Sequence, residues 1–166
     1  MICDMTELTR ELTLDQGRRS RRFLSPTGTW MIGIGHNLQG KRFSSDVWSA
    51  IKAEHPHIEN GLLDDYMTLS DALIDLIFRN DVTDTMATLY RIWPQWDQLG
   101  EMRKRGLINW SFQMDYTAAA RCKRFWHAVK LQKFDQAAQQ LRDSPWFRET
   151  QSSRSSRVIR QLGDGP

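Results

Sequence analysis

The sequence is poor in cysteine and has no long apolar segment. Its two cysteines, Cys3 and Cys122, lie far apart in 166 residues. This spacing excludes a disulfide-dense scaffold and favours free thiols in a reducing compartment. No apolar run is long enough to cross a bilayer, and the first residues lack the basic and apolar segments of an export signal. We therefore expect neither a membrane span nor self-driven export.

Acidic residues are absent from one stretch near the N-terminus. From Gln16 through Ser45 there is no Asp or Glu. The same stretch carries six basic residues: Arg18, Arg19, Arg21, Arg22, Lys41 and Arg42. Because arginine forks bind phosphate and carboxylate groups, we predict that Arg18, Arg19, Arg21 and Arg22 form a patch for an anionic partner. A solvated strand edge that resists aggregation is the alternative.

The remaining composition is that of an ordinary globular domain. With 40% hydrophobic and 26% charged residues, the chain can bury a core as one folding unit. Its net charge of +3 is compatible with anionic partners, although a solvated basic surface is the commoner explanation. No Walker loop, G-x-S-x-G or dinucleotide fingerprint occurs, and we expect no cofactor.

Hydrophobic spacing and turn residues predict helices around a β-hairpin. Ser25-Pro-Thr-Gly28 marks the hairpin turn, and Asn60-Gly61 a later turn. A capped start at Thr68-Leu-Ser-Asp71 opens a long helix that runs past Met86. Ser144-Pro145 and the serine run from Ser152 to Ser156 are predicted breaks. The other helices are predicted over residues 6–16, 44–54, 98–114, 118–130 and 134–142, with a short basic closing helix over 154–160.

Four motifs in order resemble those of phage-type lysozymes (muramidases). Residues 15–36, which end in Thr29-Trp-Met-Ile-Gly-Ile-Gly-His36, resemble that family's active-site hairpin, which runs E-G, then D, then T-I-G-I-G-H. Gly106-Leu-Ile-Asn-Trp-Ser-Phe-Gln-Met114 is similar to its A-L-I-N-M-x-F-Q-M helix. Phe134-Asp-Gln-Ala-Ala matches W-D-E-A-A, and Ser144-Pro-Trp-Phe with Arg154-Ser-Ser-Arg-Val-Ile matches S-x-W-Y and R-A-x-R-V-I.

The resemblance implies a single two-lobed α+β domain over residues 1–166. A small lobe with a three-stranded sheet would cover residues 15–66, and a long helix over 67–92 would join it to a mainly helical lobe. That second lobe would comprise residues 1–14 and 93–166.

The family's catalytic groups are missing from the matching positions. Glycoside hydrolysis needs a carboxylic acid that protonates the leaving oxygen and a second carboxylate across the bond. The resemblance puts Gln16, Ser25 and Met31 where the family has Glu, Asp and Thr. Glutamine has no acidic proton, serine no negative charge, and methionine cannot hold a water. We therefore expect no hydrolysis by the family's mechanism.

Two acids are candidates for a relocated carboxylate. Asp15 is one residue from the vacant position, but one residue is a helical rotation of about 100°. We prefer to pair it with an arginine such as Arg154. Asp115 is explained as well by helix N-capping.

The resemblance also implies other site residues. His36 and Asp81 would form a structural ion pair, and glycan contacts would fall on Thr27, Leu38, Phe112, Gln113 and Trp146. Residues 54–59, Glu-His-Pro-His-Ile-Glu, offer imidazoles and carboxylates, but the proline and the loop setting fix no ligand face, so we predict no metal.

The favoured interpretation is a catalytically inactive, phage-encoded lysozyme-like protein that serves as a binding or assembly module. It would be made in the host cytoplasm and would either pack among virion proteins of a tail or baseplate, or bind peptidoglycan without cutting. Nucleic acid is the less favoured partner. The alternative is an active muramidase, an endolysin or virion-associated lysozyme, that hydrolyses peptidoglycan with relocated acids.

Overall fold

The structure, a computed structural model, describes residues 3–58, 66–112 and 114–164. Within these ranges, nine α-helices and a short 3₁₀ helix accompany a three-stranded antiparallel sheet, which confirms the predicted α+β class. The strands are β1 (Arg19–Leu24), β2 (Trp30–Gly33) and β3 (His36–Asn37). The helices are α1 (Met5–Gln16), α2 (Ser45–Glu54), α3 (Asp71–Ile92), α4 (Glu101–Ser111), α5 (Tyr116–Ala120), α6 (Lys123–Lys130), α7 (Phe134–Arg142), α8 (Pro145–Glu149) and α9 (Ser152–Gly163), with the 3₁₀ helix at Trp96–Gln98.

The chain divides into two compact units. One is continuous in sequence, Leu12–Thr83, and contains the sheet; we call it the sheet unit. The other, the helical unit, combines Met1–Glu11 with Asp84–Pro166. No helix in the described ranges combines the length and the apolar character needed to span a membrane.

The sheet is a meander in the order β1-β2-β3. Phe23 pairs with Met31 across the first hairpin, and Met31 pairs with Asn37 across the second. Gly28 closes the first turn at φ +81°, where its N–H donates to the Ser25 carbonyl at 2.9 Å. A positive φ is cheap for glycine, which is why this turn signal was readable in the sequence.

Local capping explains where α1 and α3 begin and where α1 ends. Asp4 Oδ1 accepts hydrogen bonds from the Thr6 and Glu7 N–H groups at 3.0 and 3.2 Å, so it caps α1. Gly17, at φ +76°, follows the last residue of that helix, in agreement with the helix predicted over residues 6–16. Ser70 Oγ accepts from Leu73 N–H at 3.2 Å and caps α3.

The helical unit packs α4 against α9 around an aromatic core. Gly106 allows the close approach, because a Cβ there would lie 3.1 Å from Gln161 Cβ. Trp110 is 1% exposed, and its ring contacts those of Phe125 and Trp126 at centroid distances of 4.6 and 5.8 Å. This burial of large rings accounts for much of the unit's hydrophobic stabilisation.

Three local predictions need correction. The helix predicted over residues 118–130 is two helices, α5 and α6, separated at Arg121 and Cys122. The serine run predicted as a break is the first turn of α9, because serine is well tolerated at a helix start. Ser144-Pro145 does break the chain but also starts α8, since Ser144 Oγ accepts from Phe147 N–H and proline fits the first turn. The predicted turn at Asn60-Gly61 lies outside the described residues.

Candidate catalytic positions and binding surfaces

Gln16 is the last residue of α1, and its half-buried side chain lies against the backbone at Gly35. A Cβ built on Gly35 would lie 2.9 Å from Gln16 Cγ and 3.0 Å from its Oε1. Gly35, at φ +73°, therefore leaves the space that the Gln16 side chain fills. The amide is a neutral group in this place and has no acidic proton for a leaving group.

Ser25 sits at the turn between β1 and β2, and its hydroxyl is part of the turn. Ser25 Oγ accepts a hydrogen bond from Thr29 N–H at 3.0 Å and lies 3.0 Å from Thr27 Oγ1. The Ser25 N–H also donates to the Thr29 carbonyl at 2.9 Å. The side chain thus closes the hairpin, and it brings no negative charge that could stabilise an oxocarbenium-like transition state.

Met31 lies on β2, buried with 6% of its surface exposed. Its thioether is at best a weak acceptor and cannot orient a water as a hydroxyl does. Gln16, Ser25 and Met31 all belong to the sheet unit. None of the three side chains can donate a proton as an acid or carry a negative charge.

Two acids of the helical unit, the candidate Asp115 and also Glu11, have structural roles there. Asp115 Oδ1 accepts from Ala118 N–H at 2.7 Å, the geometry of the N-cap of α5. Glu11 is buried at 4% exposure, where Gln161 donates to it at 2.9 Å and Arg105 lies 3.2 Å away. Arg154, the proposed partner of Asp15, donates to Asn109 Oδ1 at 2.8 Å and to its carbonyl at 2.6 Å.

His36 and Asp81 lie in contact inside the sheet unit. His36 Nδ1 is 2.9 Å from Asp81 Oδ2, and both side chains are almost fully buried. Lys41 Nζ lies 3.4 Å from the other carboxylate oxygen. The imidazole stacks on Phe43 at 4.5 Å, and Phe43 stacks on Trp48 at 6.1 Å. Such a paired and packed histidine stabilises the fold and is poorly placed to act on a ligand.

The four arginines of the predicted anionic-partner patch all have contacts within the sheet unit. Arg18 donates to Asp75 at 2.6 Å and to Asp71 at 3.0 Å. Arg21 donates to Thr68 Oγ1 at 3.0 Å. Arg19 and Arg22 each lie 4.6 Å from a ring centroid, of Phe23 and Trp30 respectively. Two nearby carboxylates balance the charge of Arg18, so this run offers less free charge than its sequence suggests.

The predicted glycan contacts differ in exposure. Thr27 is exposed, and Leu38 and Trp146 are half-buried. Phe112 is 0% exposed, which corrects its assignment: a side chain without accessible surface belongs to the core and cannot touch a sugar. Gln113 lies outside the described residues.

No metal centre is formed by the residues that the structure describes, since no three His, Cys, Asp or Glu side chains cluster there. Glu54, from the histidine-containing segment, instead accepts hydrogen bonds from the N–H and hydroxyl of Ser70. Glu59 lies outside the described residues.

Both cysteines are free. Burial, followed by the hydrogen bond and charge of Glu101, raises the pKa of the Cys3 thiol far above its ordinary value. Burial also raises the pKa of Cys122. Because the thiolate is the nucleophile, neither cysteine is poised for catalysis.

A basic surface that the sequence analysis overlooked lies on the helical unit. It includes Lys123, His127 and Lys130 of α6, together with Arg91. The signal that could have revealed it is the absence of Asp and Glu from residues 116–134.

Two curated proteins of Dictyostelium discoideum are similar to this chain over nearly its whole length. It is 24% identical over 164 residues to "Probable T4-type lysozyme 2", an alignment that covers 93% of this chain and 92% of the relative. It is also 24% identical over 165 residues to "Probable T4-type lysozyme 1", with the same coverage. No protein-family model matches the chain. The similarity supports a lysozyme-like family and agrees with the α+β architecture.

Proposed function

We propose that this lysozyme-like protein has lost glycan hydrolysis and acts as a binding or assembly module. The observation that carries the proposal is the set of side chains at the three candidate catalytic positions. Gln16 fills the space above Gly35, Ser25 closes a hairpin turn, and Met31 is buried. Loss of a general acid alone lowers the rate about 10² to 10⁴-fold, and here the opposing carboxylate is absent as well.

The test is hydrolysis of peptidoglycan by the wild-type chain and by a restored variant. We expect no clearing of permeabilised Gram-negative cells by the wild type in a turbidity assay. The variant Gln16→Glu, Ser25→Asp, Met31→Thr should gain measurable clearing, because it returns a proton donor and a carboxylate. The matched control is Gln16→Glu, Ser25→Asn, Met31→Thr, which has a similar shape without the second carboxylate and should stay inactive.

Each outcome has a distinct meaning. Clearing by the wild type at the rate of an authentic lysozyme would overturn the proposal. A folded restored variant that remains inactive would mean that the site no longer accepts glycan, which favours assembly over wall binding.

Two experiments separate the two branches of the proposal. Cosedimentation with purified peptidoglycan sacculi would support a wall-binding module. Recovery of the chain from purified phage particles, beside tail or baseplate proteins, would support a virion component. Absence from both fractions would count against both branches.

The second candidate is an active muramidase, favoured by the similarity to proteins named as lysozymes. Asp15, adjacent to the vacant acid position, is the acid to test in that case. If the wild type clears cells, the variant Asp15→Asn should abolish clearing, whereas Asp115→Asn should retain it because Asp115 caps α5.

A further inference from the structure

The segment around α6 concentrates positive charge. Residues 116–134 contain no Asp or Glu and five basic residues: Arg121, Lys123, Arg124, Lys130 and Lys133. Their charge of +5 exceeds the +3 of the whole chain, so the rest of the protein is net negative. This segment is therefore, with residues 16–45, one of two acid-free stretches in which the positive charge of the protein is concentrated.

The pattern of α6 directs these charges to one face. Phe125, Trp126, Ala128 and Val129 are buried in the helical unit. Lys123, His127 and Lys130 follow at spacings of four and three residues, which puts them on the same side of a helix. All three are exposed, as is Arg124.

A cavity of about 380 Å³ opens beside this face. Its charged or titratable lining comprises Arg91, Tyr116, Lys123, His127 and Lys130, with no carboxylate among the described lining residues. The Arg91 guanidinium lies 4.2 Å from the centroid of the Tyr116 ring, which also lines the cavity. This cation–π contact holds the guanidinium in position. A volume of this order lies within the range of small-molecule binding pockets, about 300–1,000 Å³.

A second cavity, of about 500 Å³, continues along the same helix. It shares Lys123 and His127 with the first and adds Arg124, Gln136 and Gln140. The positive surface is thus elongated, which suits a ligand with repeated anionic groups better than a single small anion. The two glutamines add amide groups that can donate to and accept from hydroxyls.

Within the part of the chain that the structure describes, no carboxylate pairs with the lysines or the arginine of α6. Among residues 3–58, 66–112 and 114–164, no carboxylate oxygen lies within 4.0 Å of the side-chain nitrogens of Lys123, Arg124 or Lys130. Like charges gathered without partners repel one another and lower stability slightly, and an anionic ligand relieves this cost.

We propose that the α6 surface, made of Arg91, Lys123, Arg124, His127, Lys130, Gln136 and Gln140, binds an acidic polysaccharide with phosphate or carboxylate groups along its chain. Nucleic acid fits less well, because base stacking needs exposed rings. Phe125 and Trp126 are 3% exposed, and Arg91 already covers one face of Tyr116. This inference does not depend on whether the chain hydrolyses glycan.

The test compares two variants that each lose two positive charges. Lys123→Gln with Lys130→Gln removes charge from the α6 surface. Lys52→Gln with Arg79→Gln removes the same charge from exposed sites in the sheet unit. Binding to phosphorylated dextran, polygalacturonate and neutral dextran is measured by titration calorimetry at low and physiological salt, after circular dichroism has verified folding.

We expect the wild type to bind one or both acidic polymers but not neutral dextran, and the preferred polymer identifies the anionic group. The α6 variant should bind about tenfold more weakly and with a shallower salt dependence, because two ionic contacts are lost. The sheet-unit variant should stay within about twofold of the wild type.

Three results would overturn the proposal. The first is no binding to either acidic polymer at low salt. The second is an equal loss in both variants, which would indicate a general charge effect. The third is tighter binding to an oligothymidylate than to both polymers, which would assign the surface to nucleic acid.

Discussion

The arginine run of β1 and the basic face of α6 contain similar residues in opposite situations. In the sheet unit, Arg18 is paired with Asp71 and Asp75, and its neighbours contact Thr68 or aromatic rings. On α6, Lys123, Arg124 and Lys130 are exposed, and in the described parts of the chain no carboxylate is within ion-pair distance. The run with the densest charge in sequence therefore contains an arginine, Arg18, whose charge is balanced by carboxylates of the sheet unit.

The difference shows that the partners of a charged residue, more than its sequence density, decide whether it is available to a ligand. Asp71 and Asp75 are separated from Arg18 by more than fifty residues. Only the fold brings these carboxylates to the arginine, so counting charges along the hairpin could not reveal the pairing.

The largest loss of stability is expected when Asp81, the buried carboxylate of the sheet unit, loses its charge. Asp81→Asn removes the negative charge beside His36 Nδ1 at 2.9 Å and Lys41 Nζ at 3.4 Å. Breaking a buried ionic pair from one side typically costs about 3 kcal/mol. We expect a loss of this size in the free energy of unfolding, measured by urea denaturation. Lys41→Gln changes the more exposed partner and should lower the free energy of unfolding by less than Asp81→Asn does. A loss in Lys41→Gln that equals or exceeds the loss in Asp81→Asn would contradict this account.

A smaller effect is expected for Arg18→Gln. The variant breaks contacts to two exposed carboxylates. We expect the free energy of unfolding to fall by about 1 kcal/mol, because solvent screens these ion pairs. Thermal unfolding monitors this change. Affinity for acidic polysaccharide should be unchanged, because Arg18 is already paired. A clear drop in that affinity would restore the arginine run as a binding patch and remove the contrast between the two regions.

The reverse pattern is expected on α6. Lys130→Gln should change the free energy of unfolding by no more than about 0.5 kcal/mol, as for exposed positions without structural partners. The same variant should weaken binding to acidic polysaccharide. If Lys130→Gln instead destabilised the protein as much as Arg18→Gln, the charges of α6 would also serve the fold.

The smallest effect concerns an exposed carboxylate at the start of α2. The Ser44 hydroxyl, which donates to Asp46 Oδ1 at 2.5 Å, lowers the pKa of that carboxyl. Since the folded pKa is depressed, the contribution of Asp46 to stability is present above its unfolded pKa and is lost as pH falls through the folded pKa. Ser44→Ala should therefore raise the pKa of Asp46, measured by NMR titration, whereas Ser49→Ala should leave it unchanged. An unaltered pKa in Ser44→Ala would contradict the assigned cause.

Local signals predicted much of the fold. Gly17 ends α1 and Gly28 closes the hairpin, because both positions need a positive φ that glycine adopts easily. The predicted helix over residues 134–142 agrees with α7. The serine run misled the prediction, since serines at a helix start look the same in sequence as serines in a loop. At that point the packing of Val158 and Leu162 in the core decides the outcome.

The candidate sites were less predictable than the fold, for a physical reason. A motif locates Phe112 near family ligand positions, but burial depends on contacts with segments distant in sequence. The α6 surface was missed because Phe125 and Trp126 interrupt its charges along the chain. Only helical geometry gathers Lys123, His127 and Lys130 on one side.

The division of the chain into a continuous and a discontinuous unit has a consequence for biosynthesis. Residues 12–83 leave the ribosome in one piece, so the hairpin and its arginine–aspartate pairs can form while translation proceeds. The opening segment must wait, because the amide that binds Glu11 belongs to Gln161, 150 residues later. Until α9 emerges, the hydrogen bond between Gln161 and Glu11 cannot form, so the helical unit can be completed only after its last helix has been synthesised.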